Sequence, residues 1–121
     1  MKMIYIAGPY RNDDPMQVEQ NILNARTAAV MVADRGVYFP VTPHLCTGGF
    51  EHVSTASDDF YLAGTLELLK VCQAVLLLDG WELSSGSRVE VCTAINMRIR
   101  IFDSRMEPVT ISSIVDIASQ E

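Results

Sequence analysis

Positive charge, cysteine and long apolar runs are all scarce in this 121-residue sequence. Nine Lys and Arg stand against fifteen Asp and Glu, a net charge of −6, so we do not expect the basic face that a nucleic-acid polymer requires. No stretch approaches the roughly 18 apolar residues of a membrane-spanning helix. The first apolar run is short and lacks a cleavage site, so we expect neither a signal peptide nor a membrane partner.

The few cysteines and histidines are poorly placed for disulfides or metals. Cys46, Cys72 and Cys92 are odd in number and form no CxxC pair, so they predict neither a disulfide framework nor a zinc site. A reducing cytosol is the compartment that they favour. Both histidines, His44 and His52, lie in one segment without a convincing third ligand, so we expect no metal and no cofactor.

Four short runs rich in β-branched and aromatic residues predict four strands. These runs lie at residues 2–7, 37–41, 74–78 and 99–102. Pro40 indicates that the second strand ends there or lies at a sheet edge. The third run, "AVLLL", is unbroken apolar sequence, as expected of a central parallel strand that is buried on both faces.

Helix signals occupy the segments between these strands. The first helix is expected to begin at Pro15 after an Asp14 cap and to end at Gly36. Further helices are predicted at 58–71, 88–97 and 110–119, with a loop at 42–57. We expect the 88–97 helix to be mostly buried, because it is apolar nearly all round. The alternation predicts one three-layer α/β domain over residues 1–121: a flavodoxin-like parallel sheet in the order 2-1-3-4, with helices on both faces.

The predicted strand order indicates where a ligand would bind. In such sheets, ligands bind beyond the carboxyl ends of the strands, at the point where the strand order reverses. Here that point lies between the first and third strands. The loops that leave these two strands are "GPYRNDD" (8–14) and "DGWELSSGS" (79–87), and we expect them to form the site.

The first of these loops suits ligand contacts, although an ordinary turn is the alternative. Gly8, followed by Pro9, lets the backbone approach a ligand closely. Tyr10 can stack on a ring, and Arg11 can bind an anion. His44, in "TPHL", could meet a ligand or cap a loop, and we favour the structural role.

The second loop leads into a helix whose start decides its role. Its hydroxyls and backbone amides form a ready anion site, contributed by Ser84, Ser85, Gly86 and Ser87. Ser87 and Glu90 also match a capping box, in which Glu90 would only reach back to the cap amide. If the helix begins at Ser85 or Gly86, Glu90 lies one turn in and can face the cleft. In either case we expect the positive helix end to favour the ionised carboxylate that a nucleophile needs.

Other residues near this edge also have two interpretations. Asp79 ends the central strand and is expected to point toward a ligand hydroxyl or ring. Trp81, the only tryptophan, could form the floor of a pocket for a nucleobase or could cover the core. Asp58 and Asp59 are more typical of charges at a helix start than of catalysts.

Taken together, several segments resemble a known enzyme superfamily. They are "IYIAGPYR", "NILNARTAAVMVADRG", "PHL" and "LLKVCQAVLLLDGWELSSGSRVEVCTA". They resemble the small phage and bacterial proteins with a DUF4406 domain, within the nucleoside 2-deoxyribosyltransferase-like superfamily that includes 2'-deoxynucleoside 5'-phosphate N-hydrolases. The resemblance covers nearly the whole chain. It implies a domain of that kind, acting on a nucleoside or nucleotide.

The resemblance also implies roles for individual residues. In those enzymes a glutamate on the helix after the central strand attacks the anomeric carbon, and Glu90 falls at that position. Tyr5 corresponds to the tyrosine of the first strand. Contacts to the nucleoside or its 5' end are implied for Gly8, Pro9, Tyr10, Arg11, Ser84 and Gly86. Acidic residues of the family are replaced here by Thr65 and Gln73, which leaves the acid for the leaving base unassigned.

Three functions therefore remain open. The first is an enzyme of the N-glycosidic bond, by hydrolysis or base exchange, with Glu90 as nucleophile and Asp79 or Asp59 as its partner. Ser84, Gly86, Ser87 and Arg11 would hold the sugar's 5' end. The second is a nucleotide-binding or sensor module without chemistry. A phosphoribohydrolase ranks last, because its PGGxGT signature is absent.

A homo-oligomer is also expected. The 42–57 loop and the 110–119 helix carry apolar residues that one small core does not obviously cover. These are Leu45, Phe50, Ile111, Ile114 and Ile117.

Overall fold

The computed structural model describes residues 1–120, and its sheet has the predicted order. The four strands are β1 (Lys2–Ala7), β2 (Tyr38–Val41), β3 (Ala74–Leu77) and β4 (Arg100–Phe102). All three pairings are parallel, in the order β2-β1-β3-β4, so the order reverses between β1 and β3 as predicted. Pro40 lies in the edge strand β2, where a missing backbone N–H is tolerated.

Five α-helices connect or follow the strands. They are α1 (Pro15–Arg35), α2 (Pro43–Cys46), α3 (Asp58–Lys70), α4 (Ser85–Asn96) and α5 (Ile111–Ala118). The caps of α1 are the predicted ones: the Asp14 side chain accepts from the amide of Met16, and Gly36 takes the left-handed conformation at φ 70°. The predicted 42–57 loop is not wholly irregular, since it contains α2 and a 3₁₀ turn at Phe50–His52.

Alternation along the strands separates two hydrophobic cores. In β1, Ile4 and Ile6 pack with α1 on one face of the sheet, together with apolar side chains of β3. Tyr5 and Ala7 point to the other face, where α3, α4 and α5 pack. The resulting fold is the expected three-layer, flavodoxin-like arrangement. Tyr5 therefore lies in the same layer as α4.

Helix α4 begins one turn earlier than predicted. Its N-cap is Ser84, whose hydroxyl accepts from the amide of Ser87 at 3.2 Å, so residues 85–87 are helical and Ser87 is not the cap. Glu90 then lies in the second turn, out of reach of a capping box. We also expected this helix to be mostly buried; only one side of α4 is buried, and Val89 is exposed. Within residues 1–120, no helix has the length and apolarity to cross a membrane.

Candidate active site

A cleft opens at the carboxyl ends of β1 and β3, where the strand order predicts it. Its volume is about 770 Å³, within the range of ligand-binding pockets. The loops after these two strands line it, together with the first turns of α3 and α4 and parts of the 42–57 segment. The two loops singled out from the sequence do come together here.

The deepest polar contact in this cleft joins Tyr5 to Glu90. The Tyr5 hydroxyl donates to Oε2 of Glu90, and both residues line the cleft. Tyr5 is fully buried, and Glu90 is only 8% exposed. The strand places Tyr5 on the face that α4 covers, and the early start of α4 brings Glu90 round to the same face. We call these two residues the Tyr5–Glu90 pair.

Burial controls the protonation of this pair. It raises the pKa of Glu90 to about 7, although the hydrogen bond from Tyr5 acts in the opposite direction. The pKa of Tyr5 is also raised, first by burial and then by the negative charge of Glu90, so the phenol keeps its proton. The expectation that the helix end favours an ionised Glu90 is wrong, because the dipole acts mainly in the first turn and Glu90 lies beyond it.

The other carboxylate oxygen of Glu90 is available to a ligand. Within residues 1–120, Oε1 has no hydrogen-bond partner. Ser87 lies one turn before Glu90 on the same helix, and its hydroxyl also lacks a partner although the residue is only 1% exposed. Both residues line the cleft, as do Ser84, Ser85 and Gly86. The cleft therefore presents one carboxylate oxygen, one buried hydroxyl and the amides of the first turn of α4.

A second polar cluster forms the rim of the cleft. The Tyr10 hydroxyl accepts from the amide of Gly49 at 2.7 Å and donates to the carboxylate of Glu51 at 2.8 Å. Arg11 pairs with Asp58 at 2.6 Å and lies 3.6 Å from Glu51. Tyr10 and Arg11, predicted as ligand contacts, thus hold the 42–57 segment against the first loop. Arg11 meets an anion only in competition with two carboxylates.

Other predicted residues occupy different positions from those expected. Trp81 belongs to the hydrophobic core and does not line the cleft, because the turn at Trp81–Leu83 packs its large apolar ring against the sheet. Gly8 lines the cleft, but its small size serves packing: a Cβ there would lie 2.5 Å from Cβ of Leu78. Pro9 and Asp59 do line the cleft. Asp79 is exposed at its edge and accepts from the hydroxyl of Ser104 at 3.0 Å.

Two contacts of the site were missed from the sequence. Glu51 lies in an irregular segment and meets Tyr10 only through the tertiary fold, so no local signal marks it. Asn21 is buried on the apolar face of α1, donates to the carbonyl of Tyr10 at 3.1 Å and accepts from Gln17 at 2.9 Å. An amide on an otherwise apolar helix face is a signal that could have found it.

His44 has the structural role that was favoured, but it also lines the cleft. Its Nε2 lies 2.9 Å from the carbonyl oxygen of Pro9, and its ring packs edge-on against Tyr10. Burial lowers the pKa of His44, so the neutral ring is favoured. Within residues 1–120, no three His, Cys, Asp or Glu side chains are grouped closely enough to hold a metal ion.

Residues 2–103 match the family model of DUF7768, a domain of unknown function. The chain belongs to the DUF7768 family. The match contains all four strands and every residue of the cleft described above. No curated protein matches the chain.

This finding overturns the family assignment made from the sequence. DUF7768 is a different domain from DUF4406, and the chain matches no nucleoside deoxyribosyltransferase family. The roles that the resemblance implied for individual residues therefore rest only on the geometry of this DUF7768 domain. The concern over Gln73 also falls away, because its side chain accepts from the amide of Met3 at the amino end of β1, opposite the cleft.

Proposed function

We propose that this DUF7768 domain acts on the N-glycosidic bond of a nucleoside or nucleotide, by hydrolysis or by base exchange, with Glu90 as nucleophile. One observation carries the proposal: a buried carboxylate is fixed at Oε2 by Tyr5 and open at Oε1, in a cleft at the switch point of the sheet. A carboxylate in this state suits attack on an anomeric carbon, because it can form a glycosyl ester.

The chemistry requires two displacements at the anomeric carbon. In the first, Oε1 of Glu90 forms a bond to the carbon, the carbon–nitrogen bond breaks, and the departing base takes a proton. In the second, water or another base attacks the same carbon, the ester bond breaks, and the carboxylate is restored as the attacking group loses its proton. Asp79 and Asp59, which both line the cleft, are the proposed proton carriers.

The first turn of α4 suits the sugar's 5' end. Amide N–H groups at a helix N-terminus attract oxygen acceptors, and Ser84 and Gly86 line the cleft at this point. Ser87 adds a buried hydroxyl without a protein partner. A sugar held here would lie over the helix that carries Glu90. Arg11 contributes to this contact only if it leaves its carboxylate partners.

Base release is the direct test. The protein is incubated with the four common 2'-deoxynucleosides and their 5'-monophosphates, and free base is measured by liquid chromatography. We expect release from at least one of the eight compounds and none from the same compound with the Glu90→Gln variant. Intact-protein mass spectrometry should detect a deoxyribosyl adduct on the wild type alone. Release by both proteins would remove Glu90 from the mechanism.

A binding module without chemistry is the second candidate. The surroundings of the Tyr5–Glu90 pair favour this candidate. Within residues 1–120, no other acidic side chain is hydrogen-bonded to the pair, and the residue that α3 presents to the cleft beside it is Thr65. The Thr65 hydroxyl donates to the carbonyl of Leu62 at 3.0 Å and does not replace a general acid. Binding of a nucleoside without base release would support this alternative.

We also propose a homo-oligomer in the cytosol. Leu45, Phe50 and Ile111 are exposed, as the sequence led us to expect. By contrast, Ile114 is buried within this chain, and Ile117 packs partly buried against its core. Phe60 adds a further exposed aromatic ring. All three cysteines are free, which suits a reducing compartment. Light scattering that shows only monomer at micromolar concentration would exclude the oligomer.

A further inference from the structure

The cleft offers a ligand mainly negative charge and hydrogen-bond acceptors. Besides Glu90, four carboxylate side chains line it: Glu51, Asp58, Asp59 and Asp79. An ionised carboxylate accepts hydrogen bonds and donates none. The lining therefore favours a ligand that brings hydrogen-bond donors.

Positive charge in the lining is already engaged. Among residues 1–120, Arg11 is the only Lys or Arg that lines the cleft. It pairs with Asp58 at 2.6 Å and lies 3.6 Å from Glu51. The N-terminus of α4 adds the equivalent of roughly half a positive charge, which does not offset the carboxylates.

Two buried groups without partners point to a ligand with hydroxyl or N–H groups. The Nε2 atom of His44 faces the carbonyl oxygen of Pro9 at 2.9 Å. A carbonyl only accepts, so Nε2 carries the hydrogen, and in a neutral ring Nδ1 is then an acceptor. That Nδ1 is buried and has no hydrogen-bond partner, and the same is true of the Ser87 hydroxyl. Both residues line the cleft, and an acceptor without a protein partner there favours a ligand that brings a donor.

We propose that the cleft selects electrically neutral nucleosides over nucleoside 5'-phosphates. Sugar hydroxyls and the N–H groups of a base supply donors for the carboxylates and for the unpartnered acceptors of the lining. A phosphate dianion brings no donor and adds negative charge beside the carboxylates of the lining, where like charges repel. This inference rests on the proposed function for the choice of nucleosides as ligands, but it concerns binding and does not require catalysis.

The test compares matched ligands on the Glu90→Gln variant, which holds a ligand without consuming it. Calorimetry measures its affinity for each of the four 2'-deoxynucleosides and for the corresponding 5'-monophosphates. We expect the best nucleoside to bind at least about tenfold more tightly than its monophosphate. Raised salt should narrow the difference, because it screens the repulsion. The wild type should show the same preference in kcat/KM.

A charge variant and a matched control sharpen the test. Asp59→Asn removes one carboxylate from the lining and should reduce the preference for the nucleoside by about two- to fivefold. Glu67→Gln removes the same charge from an exposed position on the same helix, outside the cleft, and should leave the preference unchanged.

The outcomes separate this inference from the proposed function. Equal or tighter binding of the monophosphate overturns the inference, even if base is released. Preferential nucleoside binding without any base release overturns the proposed function and supports the inference. A lack of measurable binding by every nucleoside and monophosphate overturns the inference itself.

Discussion

Two tyrosine–glutamate hydrogen bonds lie in the same cleft, and their surroundings differ. Tyr10 binds Glu51 at the rim, where Arg11 and His52 provide nearby cationic or ionisable groups, and the Glu51 side chain is 18% exposed. Tyr5 binds Glu90 inside the domain, where no basic side chain pairs with the carboxylate within residues 1–120.

The difference indicates which pair mainly fastens the structure and which is the candidate for the proposed chemistry. At the rim, the positive charge of Arg11 and contact with solvent stabilise the charge of the Glu51 carboxylate. The Tyr10–Glu51 contact there joins one loop to another. Inside, the carboxylate has one neutral donor and burial raises its pKa to about 7. Burial without a paired cation destabilises the ionised form of a carboxylate. Carboxylates of this kind are found disproportionately at functional sites.

The largest expected effect contrasts the two glutamates in base release. Glu90→Gln keeps the shape of the side chain and can still accept from Tyr5, but an amide cannot form the glycosyl ester. We expect at least about a 1,000-fold loss of kcat/KM. Glu51→Gln should lose less than about tenfold, because it alters only the rim. Liquid chromatography of free base measures both, and similar losses in the two variants would erase the distinction.

Stability against pH is the next contrast. A folded-state pKa raised from 4.5 to about 7 means that stability from Glu90 is fully present below pH 4.5 and is lost as pH rises through about 7. The loss amounts to roughly 3 kcal/mol. Glu90→Gln avoids it, so its stability relative to the wild type should increase by about that amount between pH 4.5 and pH 8. Urea unfolding of both proteins at both pH values measures the difference in stability. If that difference is the same at pH 4.5 and pH 8, the pKa of Glu90 is not raised in the folded state.

The two tyrosines should differ in the pH profile of base release. Wild-type kcat/KM should rise with pH through about 7, as Glu90 loses its proton. Tyr5→Phe removes the donor that lowers the pKa of Glu90, so this limb should move upward by roughly one pH unit, with about a fivefold lower rate at pH 7. Tyr10→Phe should leave the limb in place. If Tyr5→Phe does not shift the pH dependence of kcat/KM, the group that titrates near pH 7 is not Glu90.

The smallest effect is expected from the ion pairs at the rim. The Arg11 side chain is 46% exposed and Asp58 is 80% exposed, so solvent screens their attraction. Arg11→Gln should therefore cost less than about 1 kcal/mol in urea unfolding. A loss above about 2 kcal/mol would show that the rim is as important to stability as the buried pair.

Local signals predicted much of the fold. The Asp14 and Gly36 caps, together with Pro15, mark the ends of α1 in the sequence itself. The unbroken apolar run of β3 indicated a central strand, and the strand order then placed the cleft. Asp79 follows from that placement because it lies just beyond β3, and Glu90 follows from it because it lies on the helix after that strand. Each of these features depends on neighbouring residues or on the order of the elements.

The remaining features depend on packing that the sequence does not display. Ser84, Ser85 and Ser87 are all good N-caps by residue type, so the local sequence does not distinguish Ser84, the one that caps α4. Trp81 follows a strand, like many pocket residues, but its large apolar surface places it in the core. The family resemblance failed in a similar way, since short motifs common at this edge of a parallel sheet do not specify one family.

The order of the strands also determines when contacts can form as the chain is synthesised. β1 pairs with β3 in the register Ile4↔Ala74, and the Tyr5 hydroxyl reaches a residue 85 positions later. Translation delivers the amino-terminal strand first, yet its central neighbour and α4 leave the ribosome only after most of the chain has been made. Contacts so distant along the chain form slowly. A chain that stops before β3 therefore lacks the cleft, because the loop after β3 and the first turns of α4 supply part of its lining.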